Sequence, residues 1–188
     1  MGQYYNILIQ KKDNSRIQAY DRTIDGEYTM AKLMEHSWWL NDMVNAIAEK
    51  LLNNPCRVAW MGDYADDSEL YRKAWGENVK YDMLHKTNFL MDRYYLVNHD
   101  KKLVMDCWEY LIQNAKKCDD EWCDIIHPLP LLTAQGNNRG GGDYHSDVSQ
   151  DQVGSWSWDL IELVEWETAR DLLKNQGYTK YQVVFKER

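Results

Sequence analysis

Arg93-Tyr94-Tyr95-Leu96-Val97, then Asn98-His99-Asp100-Lys101, then Leu103-Val104-Met105-Asp106-Cys107-Trp108: two apolar and aromatic runs flank a cluster of turn formers. Aromatic and β-branched residues fit a pleated surface, and Asn and Asp bond to their own backbone in turns, so the spacing predicts a β-hairpin. His99 falls in the turn and reads as a solvated loop residue. Towards the N-terminus the pattern recurs: Tyr4–Gln10 and Arg16–Tyr20 flank Lys11-Lys12-Asp13-Asn14-Ser15, a second hairpin. Asp25-Gly26 marks a further turn, and Glu27–Met34 is open between a third strand and the approach to a helix. Arg57–Met61 reads as a short buried strand ending in Gly62-Asp63.

Helical periods are fewer. Met43, Val44, Ile47, Ala48, Leu51 and Leu52 recur at i, i+3, i+4 and predict a helix over Asn41–Asn53, with Ser37 or Asn41 as cap and Pro55 beyond its end. Ser68–Trp75 predicts a shorter helix stopped by Gly76, and Glu109–Lys117 has a weak helical period. Asn78–Met91 admits helix or loop equally. Near the C-terminus, Trp156, Trp158 and Leu160 alternate with polar residues as in a strand, whereas Trp166, Ala169, Leu172 and Leu173 predict one face of a helix over Glu165–Asn175, with Gly177 past its end. Tyr181, Val183 and Phe185 alternate in a terminal strand. Strands therefore outnumber helices and hairpins dominate, and the expected class is α+β: a mainly antiparallel sheet with two or three packed helices. Residues 1–188 suit a single globular domain, long enough to bury a core without staples.

Composition bounds the function. No apolar run approaches the roughly 20 residues needed to span a bilayer, and Met1-Gly2-Gln3-Tyr4-Tyr5 lacks a basic and apolar leader, so a cytoplasmic location is expected and no membrane partner. Asn6 stands where a myristoylation signal needs Ser or Thr. Cys56, Cys107, Cys118 and Cys123 do not form a disulfide framework, and no tight Cys-x-x-Cys accompanies His127, so reduced thiols and no metal are expected. A net charge of −8 argues against nucleic acid as a direct partner, because phosphate binding needs a basic face, and suits docking on a basic surface instead. Nine Trp and thirteen Tyr against two Phe favour aromatic rings with a polar edge, the kind enriched at interfaces.

Candidate site residues fall in two places. His127–His145 holds two of the three prolines and four of the ten glycines. Pro128 and Pro130 predict extended backbone over residues 126–132, and Gln135–Gly142 predicts a loop. Within it Arg139, Gly140, Gly141, Gly142 and Asp143 present successive backbone N–H groups beside a guanidinium, an arrangement that cradles anions. His145-Ser146-Asp147, with Asp143 and His127, offers metal donors, although no fourth ligand is assured. The second place is Glu35-His36-Ser37-Trp38-Trp39, where a carboxylate and an imidazole stand beside two indoles. Sequence neighbours do not face one another on a helix or strand, so Glu35, His36 and Trp38 suit binding or packing better than acid–base work. Asp63, Asp66 and Asp67 cluster within five residues but lack the calcium-loop pattern, and they fit the start of the helix at Ser68.

Met1–Tyr5, Lys32–Trp39, Arg57–Asp66, Leu96–His99 and His127–Tyr144 together resemble a family of small proteins carried by phages and mobile elements of Gram-positive bacteria. The resemblance runs along most of the chain in separated blocks and carries no catalytic residues with it. It implies a protein that opposes host defence, with CRISPR nucleases among the targets. Two functions follow as expectations. One is a non-catalytic inhibitor, without cofactor, whose acidic Trp/Tyr-rich surface occupies a basic surface of a host nuclease. The other is an enzyme or sequestering protein for a small phosphorylated ligand held by the Arg139–Asp143 loop. A structural or regulatory module of a mobile element, oligomeric in some form, is a third.

Overall fold

The computed structural model describes residues 2–30, 32–115, 125–144 and 149–184. Its strands are β1 (Tyr5–Lys11), β2 (Gln18–Tyr20), β3 (Thr23–Ile24), β4 (Glu27–Tyr28), β5 (Cys56–Gly62), β6 (Tyr95–Asn98), β7 (Leu103–Asp106), β8 (Ala134–Gln135), β9 (Leu160–Val164) and β10 (Thr179–Lys180). Its helices are α1 (Leu33–His36), α2 (Asp42–Glu49), α3 (Glu69–Trp75), α4 (Cys107–Ala115), α5 (Pro128–Thr133) and α6 (Trp166–Asn175). The fold is α+β. The main sheet runs β10-β7-β6-β9-β5-β1-β2, and β8 pairs with β5 beside β9. Pairing is antiparallel except for β10 with β7 and β8 with β5. The strands β3 and β4 form a separate hairpin across Asp25-Gly26, whose positive φ values of 51° and 81° suit a tight two-residue turn.

The period of two along each strand divides the apolar residues between two layers. On β1, Ile7 and Ile9 join Val58, Trp60, Leu96 and Leu163 beneath Met43 and Ile47 of α2 and Leu129 and Leu132 of α5. On the opposite face, Leu8, Ala59 and Met61 pack with Ala74 of α3, and Val97, Val104 and Val164 pack with Ala169 and Leu172 of α6. Two helix caps follow the sequence closely. Asn41 Oδ1 accepts the N–H groups of Met43 and Val44, and Ser68 Oγ accepts that of Tyr71.

Several expectations give way. Residues 128–133 form helix α5 instead of extended chain. Pro128 and Pro130 occupy its first turn, where an N–H would have no intrahelical acceptor, and His127 Nδ1 accepts the N–H of Leu129 as the cap. Trp156 and Trp158 lie in consecutive turns and the strand begins at Leu160, because Gly154 and Trp158 take φ values of 70° and 62°. The second strand of the central hairpin stops at Asp106, and Cys107 already opens α4. Thr179–Lys180, not Tyr181–Phe185, pairs with β7; Phe185 lies outside the described residues. Of residues 78–90 only Tyr81 makes a strand-like bridge, to Ala19. The thiols of Cys56 and Cys107 are buried and free, and Cys118 and Cys123 lie outside the described residues. No helix among the described residues is long and apolar enough to cross a membrane.

Candidate binding groove

The glycine-rich loop does cradle an anion, and the anion is the chain's own. The N–H groups of Arg139 and Gly140 donate to Asp143 Oδ2 at 3.2 and 3.1 Å, and the Tyr5 hydroxyl donates to Asp143 Oδ1 at 2.9 Å. The Arg139 guanidinium is forked onto Asp66, with Nη2 3.2 Å from Oδ2 and Nη1 also on Tyr64 O. Gly141 receives the Gln3 N–H on its carbonyl, and Gly142 accepts that of Met34, so the loop clamps the N-terminal residues and α1. A Cβ on Gly140 would come within 2.7 Å of the Gln3 backbone nitrogen, and one on Gly142 within 2.7 Å of the Lys32 side chain. The glycines allow close approach between parts of this chain. His145, with Ser146 and Asp147, lies outside the described residues.

The Glu35–Trp38 segment divides between surface and core. Glu35 accepts the Lys32 ammonium at 2.7 Å on the half-exposed side of α1. His36 is buried: Trp60 Nε1 donates to its Nε2 at 2.9 Å, which leaves the proton on Nδ1 to be donated to the Lys32 carbonyl at 2.7 Å. Burial holds His36 neutral, with a pKa pushed down to about 4, and pushes His127 down to about 3. Trp38 is half-buried and bridges to Ile126 through its backbone. Thus Glu35 and His36 point apart, and the described segment places no solvent-accessible acid–base pair. The three neighbouring aspartates also disperse: Asp63 accepts the Tyr4 N–H, Asp66 pairs with Arg139 and Asp67 with Arg72. His99, expected to be solvated, instead meets Glu162 at 2.8 Å and the Tyr178 hydroxyl at 3.0 Å. Among the described residues no three His, Cys, Asp or Glu side chains gather where they would hold a metal ion.

An open groove of about 400 Å³ lies elsewhere, lined by Asp92, Arg93, Tyr94, Tyr95, Asp106 and Trp108. Its position follows from the central hairpin. Tyr95 opens β6 opposite Asp106, the last residue of β7, and opposite Val164, the last of β9. Asp106 then caps α4 by accepting the Glu109 N–H on Oδ1 at 2.9 Å. The cap aims Trp108, in the first turn of α4, into solvent, where it stays 53 % exposed. Trp166, at the start of α6, tilts against Tyr95 with ring centroids 5.6 Å apart and stays 47 % exposed. Burial first, then the charges of Asp106 and Glu109, push the Tyr95 hydroxyl up to about 12 and keep it protonated. The chain thus carries its two exposed described indoles at one end of the sheet, beside carboxylates.

The groove was hidden in the sequence because it joins residues 92–95 to Asp106 and Trp108, with Trp166 packed on Tyr95 beside them. The one signal available was Trp108 at the head of a helix, off the face that buries Cys107, Tyr110 and Asn114. A second aromatic group is built round a cation: the Arg22 guanidinium lies 5.3, 5.5 and 5.7 Å from the rings of Tyr4, Tyr28 and Trp75. Comparison with protein-family models, curated proteins and solved structures finds no match to this chain.

Proposed function

We propose that the protein is a non-catalytic inhibitor of host defence, carried by a phage or mobile element, that binds a nuclease of the CRISPR class through its acidic Trp/Tyr-rich surface. The observation that carries this reading is the groove at Trp108 with Trp166 beside it. Exposed large aromatics are the costly component of a soluble surface and the productive one of an interface core. Net charge supports the same reading. At −8 the protein is drawn towards basic surfaces, and a nuclease that grips nucleic acid must present one. The resemblance of the sequence to mobile-element proteins supplies the biological setting.

The phosphorylated-ligand reading is less favoured, because part of its donor set is already engaged within the chain. The N–H groups of Arg139 and Gly140 already serve Asp143, and the Arg139 guanidinium serves Asp66. His36 and His127 are closed off in the core.

The test is direct binding to purified, guide-loaded nucleases at two ionic strengths. Charge-steered docking is strongest at about 0.01 M salt, where the screening length is about 30 Å, and weakens at about 0.15 M, where it is about 8 Å. The proposal expects saturable binding that weakens with salt and competes with target DNA. Undetectable binding across the panel at low salt would sink it.

A further inference from the structure

The groove has a charge and a shape that specify more than a basic partner. Its lining carries two carboxylates, Asp92 and Asp106, against one guanidinium, Arg93, an excess of a single negative charge. Both aspartates are half-buried, whereas Arg93 is exposed at the rim. Asp92 has no hydrogen bond or ion pair with any described residue. Asp106 caps α4 through Oδ1 and also accepts the Tyr95 hydroxyl, two bonds that fix its carboxylate in the lining and leave it able to accept a further donor. Trp108 adds an exposed indole face to the same wall.

From these features we infer that the groove receives one arginine side chain of the partner, its guanidinium lying on the Trp108 indole and bonding to the Asp92 and Asp106 carboxylates. The inference rests on the partner-binding reading and names the chemistry of its central contact. Arginine fits better than lysine for two reasons. A planar guanidinium stacks on an aromatic face while its edge donates to carboxylates, and it is more weakly hydrated than an ammonium, so it loses less on entering a half-buried groove. The lone excess charge matches one incoming cation; further basic residues of the partner would meet the carboxylates outside the groove.

Calorimetric titration of the whole chain with hexa-arginine and hexalysine peptides tests this without any nuclease. Hexa-arginine should bind at least about fivefold more tightly than hexalysine, because only arginine gains the stacking and forked contacts. Trp108→Ala and the isosteric Asp92→Asn should each weaken hexa-arginine by about fivefold or more, and Asp13→Asn in the distant β1–β2 turn should leave it unchanged. Unfolding curves for each variant check that the fold is intact, as expected for exposed or isosteric positions. Equal affinity for the two peptides would overturn the inference, as would full-strength binding by both groove variants. If hexa-arginine binds as expected while no nuclease is bound, the groove assignment stands and the inhibitor reading falls. If a nuclease binds W108A and D92N at full strength, the reverse holds.

Discussion

Trp60 Nε1 donates to His36 Nε2, and that bond fixes the tautomer of the histidine, while burial sets its acid response. A histidine whose folded pKa is depressed takes up a proton more readily in the unfolded chain. Its contribution to stability is therefore complete above the ordinary value of 6.5 and is lost as the pH falls towards about 4 for His36 and about 3 for His127. Each should contribute a slope of up to about 1.4 kcal/mol per pH unit across that window, steepening acid unfolding between the two limits. Denaturant titrations at stepped pH read this directly. His127→Asn keeps a side-chain acceptor for Leu129 N–H and should remove its share of the slope; an unchanged slope would show that His127 does not titrate with unfolding. Arg22 offers a second residue-scale test. Arg22→Ala forfeits contacts with three rings and should cost about 1–2 kcal/mol in a denaturant melt, more than a typical surface arginine.

Among the elements, those whose local chemistry and period agree are legible in the sequence alone. The central hairpin, the turn at Asp25-Gly26 and the helices capped by Asn41 and Ser68 all have their signals within a few residues. Helix α5 was not legible: prolines ordinarily report extended chain, and only the first-turn placement of Pro128 and Pro130, fixed by the His127 cap, makes them helical. Trp156 and Trp158 misled in the opposite sense, because alternation says nothing of whether a ladder partner is present. The glycine-rich stretch signals an irregular loop, yet the anion its N–H groups hold, Asp143, is four residues from Arg139 and the surfaces the loop clamps are more than a hundred residues away. Gly140→Ala should therefore destabilise by about 1–3 kcal/mol through collision with the Gln3 backbone. Gly26→Ala, which meets nothing within 4 Å, should cost only about 1 kcal/mol from its positive φ. Equal losses at the two glycines would contradict the clamp. The groove belongs to the same illegible class, being assembled from residues 92–95 at the entry to β6, the last residue of β7 and the start of α4.

On the scale of the whole molecule, His36 and His127 are turned into the core, and the exposed indoles Trp108 and Trp166 stand beside carboxylates at one end of the sheet. Trp108→Ala should leave thermal stability within about 0.5 kcal/mol of the parent, as for most exposed positions, while weakening partner binding about tenfold or more. A protein that works by occupation is consumed as it works, whereas an enzyme is not. The most direct measurement is therefore stoichiometric: residual target-DNA cleavage by a fixed amount of guide-loaded nuclease, titrated with the protein at concentrations well above the dissociation constant. The account predicts a linear fall in activity that ends near one inhibitor per binding site and is restored when the complex is dissociated by salt. Loss of activity at a small fraction of that ratio, growing with time and not restored, would contradict it.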